Sequence, residues 1–160
     1  MTTIGARIDR LIQEKQHDTY RTKGKLSEPT CCPDCGAVYH QGRWQWLESR
    51  PTNAHEIKCP ACQRISDRVP AGFVSISGEF FQSHRDEILG LIRNIESEEK
   101  KQHPLNRIMQ LSDEGAGLEI TTTDMHLPRD IGVALEKAYD GELDFHYVDE
   151  SNLLRVKWQR

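Results

Sequence analysis

The sequence predicts an α+β fold, and three features of its pattern lead to this prediction. Two Cys-Pro-x-Cys pairs stand at residues 32–35 and 59–62. Apolar residues then recur at helical spacing between residues 81 and 95. Near the end of the chain, between residues 143 and 158, two runs of apolar residues alternate with polar ones. We therefore expect a cysteine-rich module followed by a small sheet with helices.

Residues 1–30 are polar and are predicted to form a flexible N-terminal arm. A short helix around Ile4–Ile12 is the alternative. The run Arg21-Thr-Lys-Gly-Lys25 is basic. Lys23 and Lys25 are therefore candidate contacts for RNA phosphates.

The two cysteine pairs predict a zinc ribbon over residues 31–72. Two cysteines at i and i+3 on a tight turn can direct both sulfurs to one point about 2.3 Å away, so two such pairs complete a tetrahedral site. A four-thiolate site leaves no open position, which favours a structural role. The four predicted ligands of one Zn²⁺ ion are Cys32, Cys35, Cys59 and Cys62.

Other uses of these thiols remain open at this stage. A pair of redox disulfides would also use Cys-x-x-Cys spacing. Iron also accepts tetrahedral sulfur geometry. Cys31 is a surplus thiol that is either a bystander or an exchange partner of Cys32. His40 and His55 flank the module, and we interpret them as surface residues.

The segment between the pairs contains Arg43-Trp44-Gln45-Trp46, which has the alternation of a strand. If both indoles lie on one face, they can stack on bases beside Arg43. Alternatively, they cover the small core of the zinc module. The sequence does not choose between these interpretations.

Residues 73–160 are predicted to form an α+β domain in helix–ββ–helix–ββ order. Ser83 is the predicted cap of a first helix that ends near Lys101. Strands are expected over residues 107–111 and 118–123.

A second helix is expected to begin near Pro128 and to stop at Gly141. The two alternating runs at the end predict a β-hairpin around the polar turn at residues 149–152.

A polar cluster, Thr121-Thr-Thr-Asp124-Met-His126, lies at the predicted strand-to-helix junction. Asp124 and His126 are candidates for an acid–base pair with a threonine nucleophile. Asp124 is also a natural helix cap, and helix N–H groups can bind a phosphate. We favour the cap and predict that the protein is not an enzyme.

Composition restricts the function further. Residues 1–72 carry a net charge of +3, whereas residues 111–160 carry −6. Only the first half is therefore suited to meet phosphate. No stretch is apolar enough for a membrane span, and reduced thiols indicate a cytoplasmic protein.

The cysteine pairs and the segment Gly117-Leu-Glu-Ile-Thr-Thr-Thr-Asp-Met-His-Leu-Pro-Arg-Asp-Ile-Gly132 resemble the large-ribosomal-subunit export adaptor (nonsense-mediated decay protein three) family. The resemblance covers about residues 31–160 and implies a short, bacterial-type relative. It implies metal ligation by the four cysteines and binding to the large ribosomal subunit or another structured RNA–protein assembly. A stress-related protein–protein adaptor, in which zinc is purely structural, is the alternative.

Overall fold

A computed structural model describes Tyr20 and residues 26–160, except for the side chain of Ser151. The predicted arm, the alternative helix at Ile4–Ile12, and Lys23 and Lys25 lie outside the described residues. Within them the chain is α+β, as predicted. No described helix is long and apolar enough to cross a membrane.

The N-terminal module consists of four short strands and one helix. The strands are β1 (Thr30–Cys31), β2 (Val38–His40), β3 (Arg43–Gln45) and β4 (His55–Glu56), and they form one sheet in the order β3-β2-β1-β4. Helix α1 (Pro60–Asp67) follows. The described module is therefore a small sheet with a helix at its end.

The C-terminal domain begins with a strand that we did not predict, β5 (Gly72–Ser77). Two helices follow, α2 (Glu79–Ser83) and α3 (Arg85–Gln102), and then the hairpin of β6 (Ile108–Glu114) and β7 (Gly117–Thr122). Helix α4 (His126–Tyr139) precedes a second hairpin. That hairpin joins β8 (Glu142–Val148) to β9 (Leu153–Gln159) through a 3₁₀ turn at Asp149–Ser151.

The five strands form a mixed sheet in the order β6-β7-β5-β9-β8. Strand β5 lies at its centre, antiparallel to β7 and parallel to β9. The alternating pattern of each strand turns its apolar residues to the face that carries α3 and α4. The largest fully buried side chains of the C-terminal core are Ile76, Phe81, Ile88, Ile92, Ile120, Leu127, Ile131, Leu135, Leu154 and Trp158.

The prediction that Ser83 caps the first long helix is wrong. Ser83 ends the short helix α2, where its hydroxyl donates to the carbonyl of Glu79 at 3.1 Å. The residue that precedes α3 is His84, which makes no capping bond from its side chain. The chain already turns at Gly78, whose φ is +110°, and this early start buries Phe81.

Candidate metal centre

The first cysteine pair lies on the turn between β1 and β2. The amide of Gly36 donates to the Cys32 carbonyl at 3.0 Å, and the amide of Ala37 reaches the Cys35 sulfur at 3.5 Å. Gly36 has a φ of +82°, a conformation that glycine adopts without strain. This turn is the tight knuckle that the sequence predicted.

The second pair is built differently, because it lies on the first turn of a helix. Cys59 is the N-cap residue of α1, and its sulfur accepts the amide of Cys62 at 3.4 Å. Pro60 occupies the first helical turn, where the missing N–H of proline costs nothing. The helix thus orients Cys59 and Cys62 towards one point.

The four predicted ligands come together. Their Sγ atoms all lie within 4.8 Å of one another, and those of Cys35 and Cys59 are 3.8 Å apart. A tetrahedral zinc ion with Zn–S bonds of about 2.3 Å requires sulfur separations of about 3.8 Å. The four-thiolate donor set therefore fits zinc. Cys31 is buried but does not belong to the cluster.

An arginine from the C-terminal domain completes the site, and no pattern in the sequence predicts its role. Arg107 lies just before β6 and is only 8% exposed. Its Nη1 donates to the sulfur of Cys62 at 3.4 Å, and its Nη2 donates to those of Cys35 at 3.2 Å and Cys59 at 3.4 Å. The amide of Cys59 donates to the remaining sulfur, on Cys32, at 3.3 Å. Every sulfur of the cluster therefore accepts at least one N–H.

Arg107 is held in place by the segment around it. Its Nε donates to the carbonyl of Pro104 at 2.7 Å, and its backbone N–H donates to the Thr123 hydroxyl at 2.9 Å. The same hydroxyl donates to the Leu105 carbonyl at 2.6 Å. Leu105 itself packs on the cysteine cluster. We call residues 103–107 the cluster loop, because it contacts the cysteines directly.

The pKa values of the clustered thiols differ, because the thiols hydrogen-bond to one another and to Arg107. The hydrogen bond with Cys59 lowers the pKa of the Cys35 thiol to about 4, and the Ala37 amide and Arg107 act in the same direction. The same bond raises the pKa of Cys59, and burial raises that of Cys62. Burial alone would lower the pKa of Arg107, but its bond to Cys62 and the thiolate charges hold it above its ordinary value. Zinc binding must therefore displace the protons of Cys59 and Cys62.

The two tryptophans occupy different environments. Trp44 is half-buried, packs against the cysteine cluster and meets the Tyr39 ring edge-on, with 5.6 Å between the centroids. Trp46 is 36% exposed, and its Nε1 donates to the Lys100 carbonyl near the end of α3 at 2.7 Å. Trp46 thus joins the two modules, while Arg43 beside them is exposed.

The threonine–aspartate–histidine segment forms structural contacts. Thr122 donates to the Asp124 carbonyl at 2.6 Å, and Thr123 holds the cluster loop. Oδ2 of Asp124 accepts the amides of His126 and Leu127 at 2.9 and 3.1 Å, so it caps α4 as predicted. Burial raises the pKa of Asp124 to about 6, and its Oδ1 has no hydrogen-bond partner among the described residues.

No protein-family model matches the chain, and no curated protein or solved structure is significantly similar to it. The site must therefore be interpreted from its own geometry and chemistry.

Proposed function

We propose that this protein is a non-enzymatic, zinc-binding protein that binds the large ribosomal subunit or another structured RNA–protein assembly. One Zn²⁺ ion, held by the four cysteines, would stabilise the N-terminal module and fix it against the C-terminal domain. A closed four-thiolate site supports this structural role, because it leaves no position for a substrate. None of the five cysteines forms a disulfide, which fits a reducing, cytoplasmic compartment.

The observation that carries the RNA proposal is the cleft beside the metal centre. Arg43, Trp44, Tyr39 and His103 line it, and none of the lining residues that the structure describes is an aspartate or glutamate. Two carboxylates border this lining: Glu28 accepts the Gly42 amide at 2.7 Å, and Glu99 accepts Nδ2 of Asn106 at 3.0 Å. In a chain of net charge −4, a cleft lined by a cation and two aromatic rings is suited to RNA. The resemblance to the export adaptor family points to the large subunit as the specific target.

Of the predicted RNA contacts, Arg43 and Trp44 are therefore the ones we propose as principal. Trp46 is engaged with the Lys100 carbonyl, so we assign it to the junction between the modules. Lys23 and Lys25 are proposed to add phosphate contacts, since the first 72 residues carry the positive net charge.

Co-sedimentation of the zinc-loaded protein with purified ribosomal subunits tests this function. We expect the protein to pellet with the large subunit at low salt and to be released as salt rises, because phosphate contacts are salt-dependent. If it remains in the supernatant at every salt concentration, the proposal is wrong. Capture of one nuclease-resistant protein complex instead would favour the adaptor alternative.

A further inference from the structure

The cleft lined by Arg43 and Trp44 has a volume of about 400 Å³ and lies where the two modules meet. Strands β2 and β3 supply one wall, with Tyr39, Arg43 and Trp44. The cluster loop supplies the other, with residues 103–106. We propose that this cleft, hereafter the junction cleft, binds one unpaired nucleotide of a single-stranded RNA segment. This inference rests on the proposed function and names the part of the protein that would contact the RNA.

The walls provide the groups that a nucleotide requires. Trp44 and Tyr39 are both half-buried, so their aromatic surface is partly available for stacking with a base. Asn106 has an amide that can bind a base edge, and its Nδ2 is fixed by a 3.0 Å bond to Glu99. A cleft of this volume falls within the range of about 300–1,000 Å³ that is usual for small-molecule sites.

Two side chains on the walls of the junction cleft can bind the phosphate of a nucleotide. Arg43 is exposed at the cleft and His103 stands on the opposite wall, both suited to a phosphate. A phosphate attached to a bound base would therefore meet the Arg43 guanidinium on one wall and the His103 imidazole on the other.

The metal centre holds this cleft in shape. Trp44 and Leu105 line the cleft and also pack on the cysteine cluster, and Arg107 ties the cluster loop to three of its sulfurs. Both walls therefore depend on the same site. Removal of zinc should abolish nucleotide binding as well as destabilise the module.

Fluorescence anisotropy with a labelled 12-nucleotide oligouridylate and the zinc-loaded full-length protein tests the inference. Arg43→Glu should weaken binding at least about tenfold, and Trp44→Leu should do the same through lost stacking. Arg93→Glu is the matched control, because Arg93 is exposed on α3 outside the cleft and the substitution changes the net charge equally. It should change the affinity by less than about twofold.

A second readout follows the tryptophan indoles by NMR during titration with uridine 5′-monophosphate. The Trp44 signal should shift, while that of Trp158, which is fully buried in the C-terminal core, should not. The zinc content of the Trp44→Leu variant shows whether its N-terminal module is still folded. Arg43→Glu changes an exposed residue rather than one that packs on the cysteine cluster, so it tests the cleft independently.

If Arg43→Glu binds the oligonucleotide as tightly as wild type and the Arg93→Glu control do, the inference is wrong. So would an unchanged Trp44 signal. If both cleft variants still pellet with the large subunit, the nucleotide site is wrong while the proposed function stands. If the wild-type protein never pellets with ribosomes, the proposed function itself fails.

Discussion

Replacement of Arg107 by methionine tests how strongly the two modules depend on the metal centre. The change keeps most of the apolar stem but removes three N–H···S bonds and the only side-chain cation that donates to the described cluster. Hydrogen bonds to charged groups contribute about 1.5–3 kcal/mol each, but part of that is offset by the cost of burying the guanidinium.

Loss of one partner from a buried charge pair usually costs about 3–5 kcal/mol. We therefore expect Arg107→Met to lower the free energy of unfolding by about 3 kcal/mol, which corresponds to a fall of about 6–12 °C in Tm for a chain of this size. Because second-sphere partners tune the ligands, zinc affinity should fall about 10–100-fold.

Thermal unfolding by circular dichroism and a zinc competition with a chromogenic chelator measure the two effects. Arg93→Met is the control, since Arg93 is exposed and lies outside the cluster. Arg107→Lys should give an intermediate result, because it keeps the charge but not the planar fork. An Arg107→Met protein with unchanged zinc affinity and a Tm within about 2 °C of wild type would refute the reasoning.

The remaining predictions concern the cysteines, Asp124 and two glycines. Cys59→Ser should lose zinc and unfold residues 31–72 while the β8–β9 hairpin keeps its amide spectrum; a uniformly folded mutant would contradict this. Asp124 should titrate near pH 6 by carboxyl NMR, so wild type should gain stability relative to Asp124→Asn as pH falls from about 6 to 4. If the carboxyl of Asp124 instead titrates with a midpoint near pH 4, its pKa is not raised by burial and this prediction is wrong. Gly72→Ala should lower the free energy of unfolding by about 1–3 kcal/mol, because the new Cβ would lie 2.3 Å from Cγ of Pro128. Gly90→Ala should raise it by about 0.5–1 kcal/mol, because Gly90 lies inside α3 and no atom beyond the neighbouring helix backbone lies within 4 Å of the new Cβ. Chemical denaturation measures both, and equal effects would contradict the packing argument.

Local patterns were sufficient to predict that four cysteines come together and where most of the C-terminal elements lie. The cysteine spacing located all four clustered sulfurs. The alternating runs located the last hairpin to within about one residue at each end. Asp124 was identified as a cap from its position before an apolar helix, and the structure confirms it.

The sequence could not supply features that depend on distant residues. A four-thiolate site requires compensating donors, but the chain has 21 lysines and arginines, and Arg107 lies 72 residues from Cys35. Strand β5 was missed because its run of six residues is short and contains two serines, although it is central in the sheet. The different conformations of the two cysteine pairs also escaped prediction. Pro60 at the start of α1 was the one local signal for a helix there.

X-ray absorption at the zinc edge, combined with metal analysis of protein purified without added metal, tests the central claim most directly. We predict one zinc ion per chain, surrounded by four sulfurs at about 2.3 Å. A metal other than zinc, or a first shell with fewer than four sulfurs, would contradict the account.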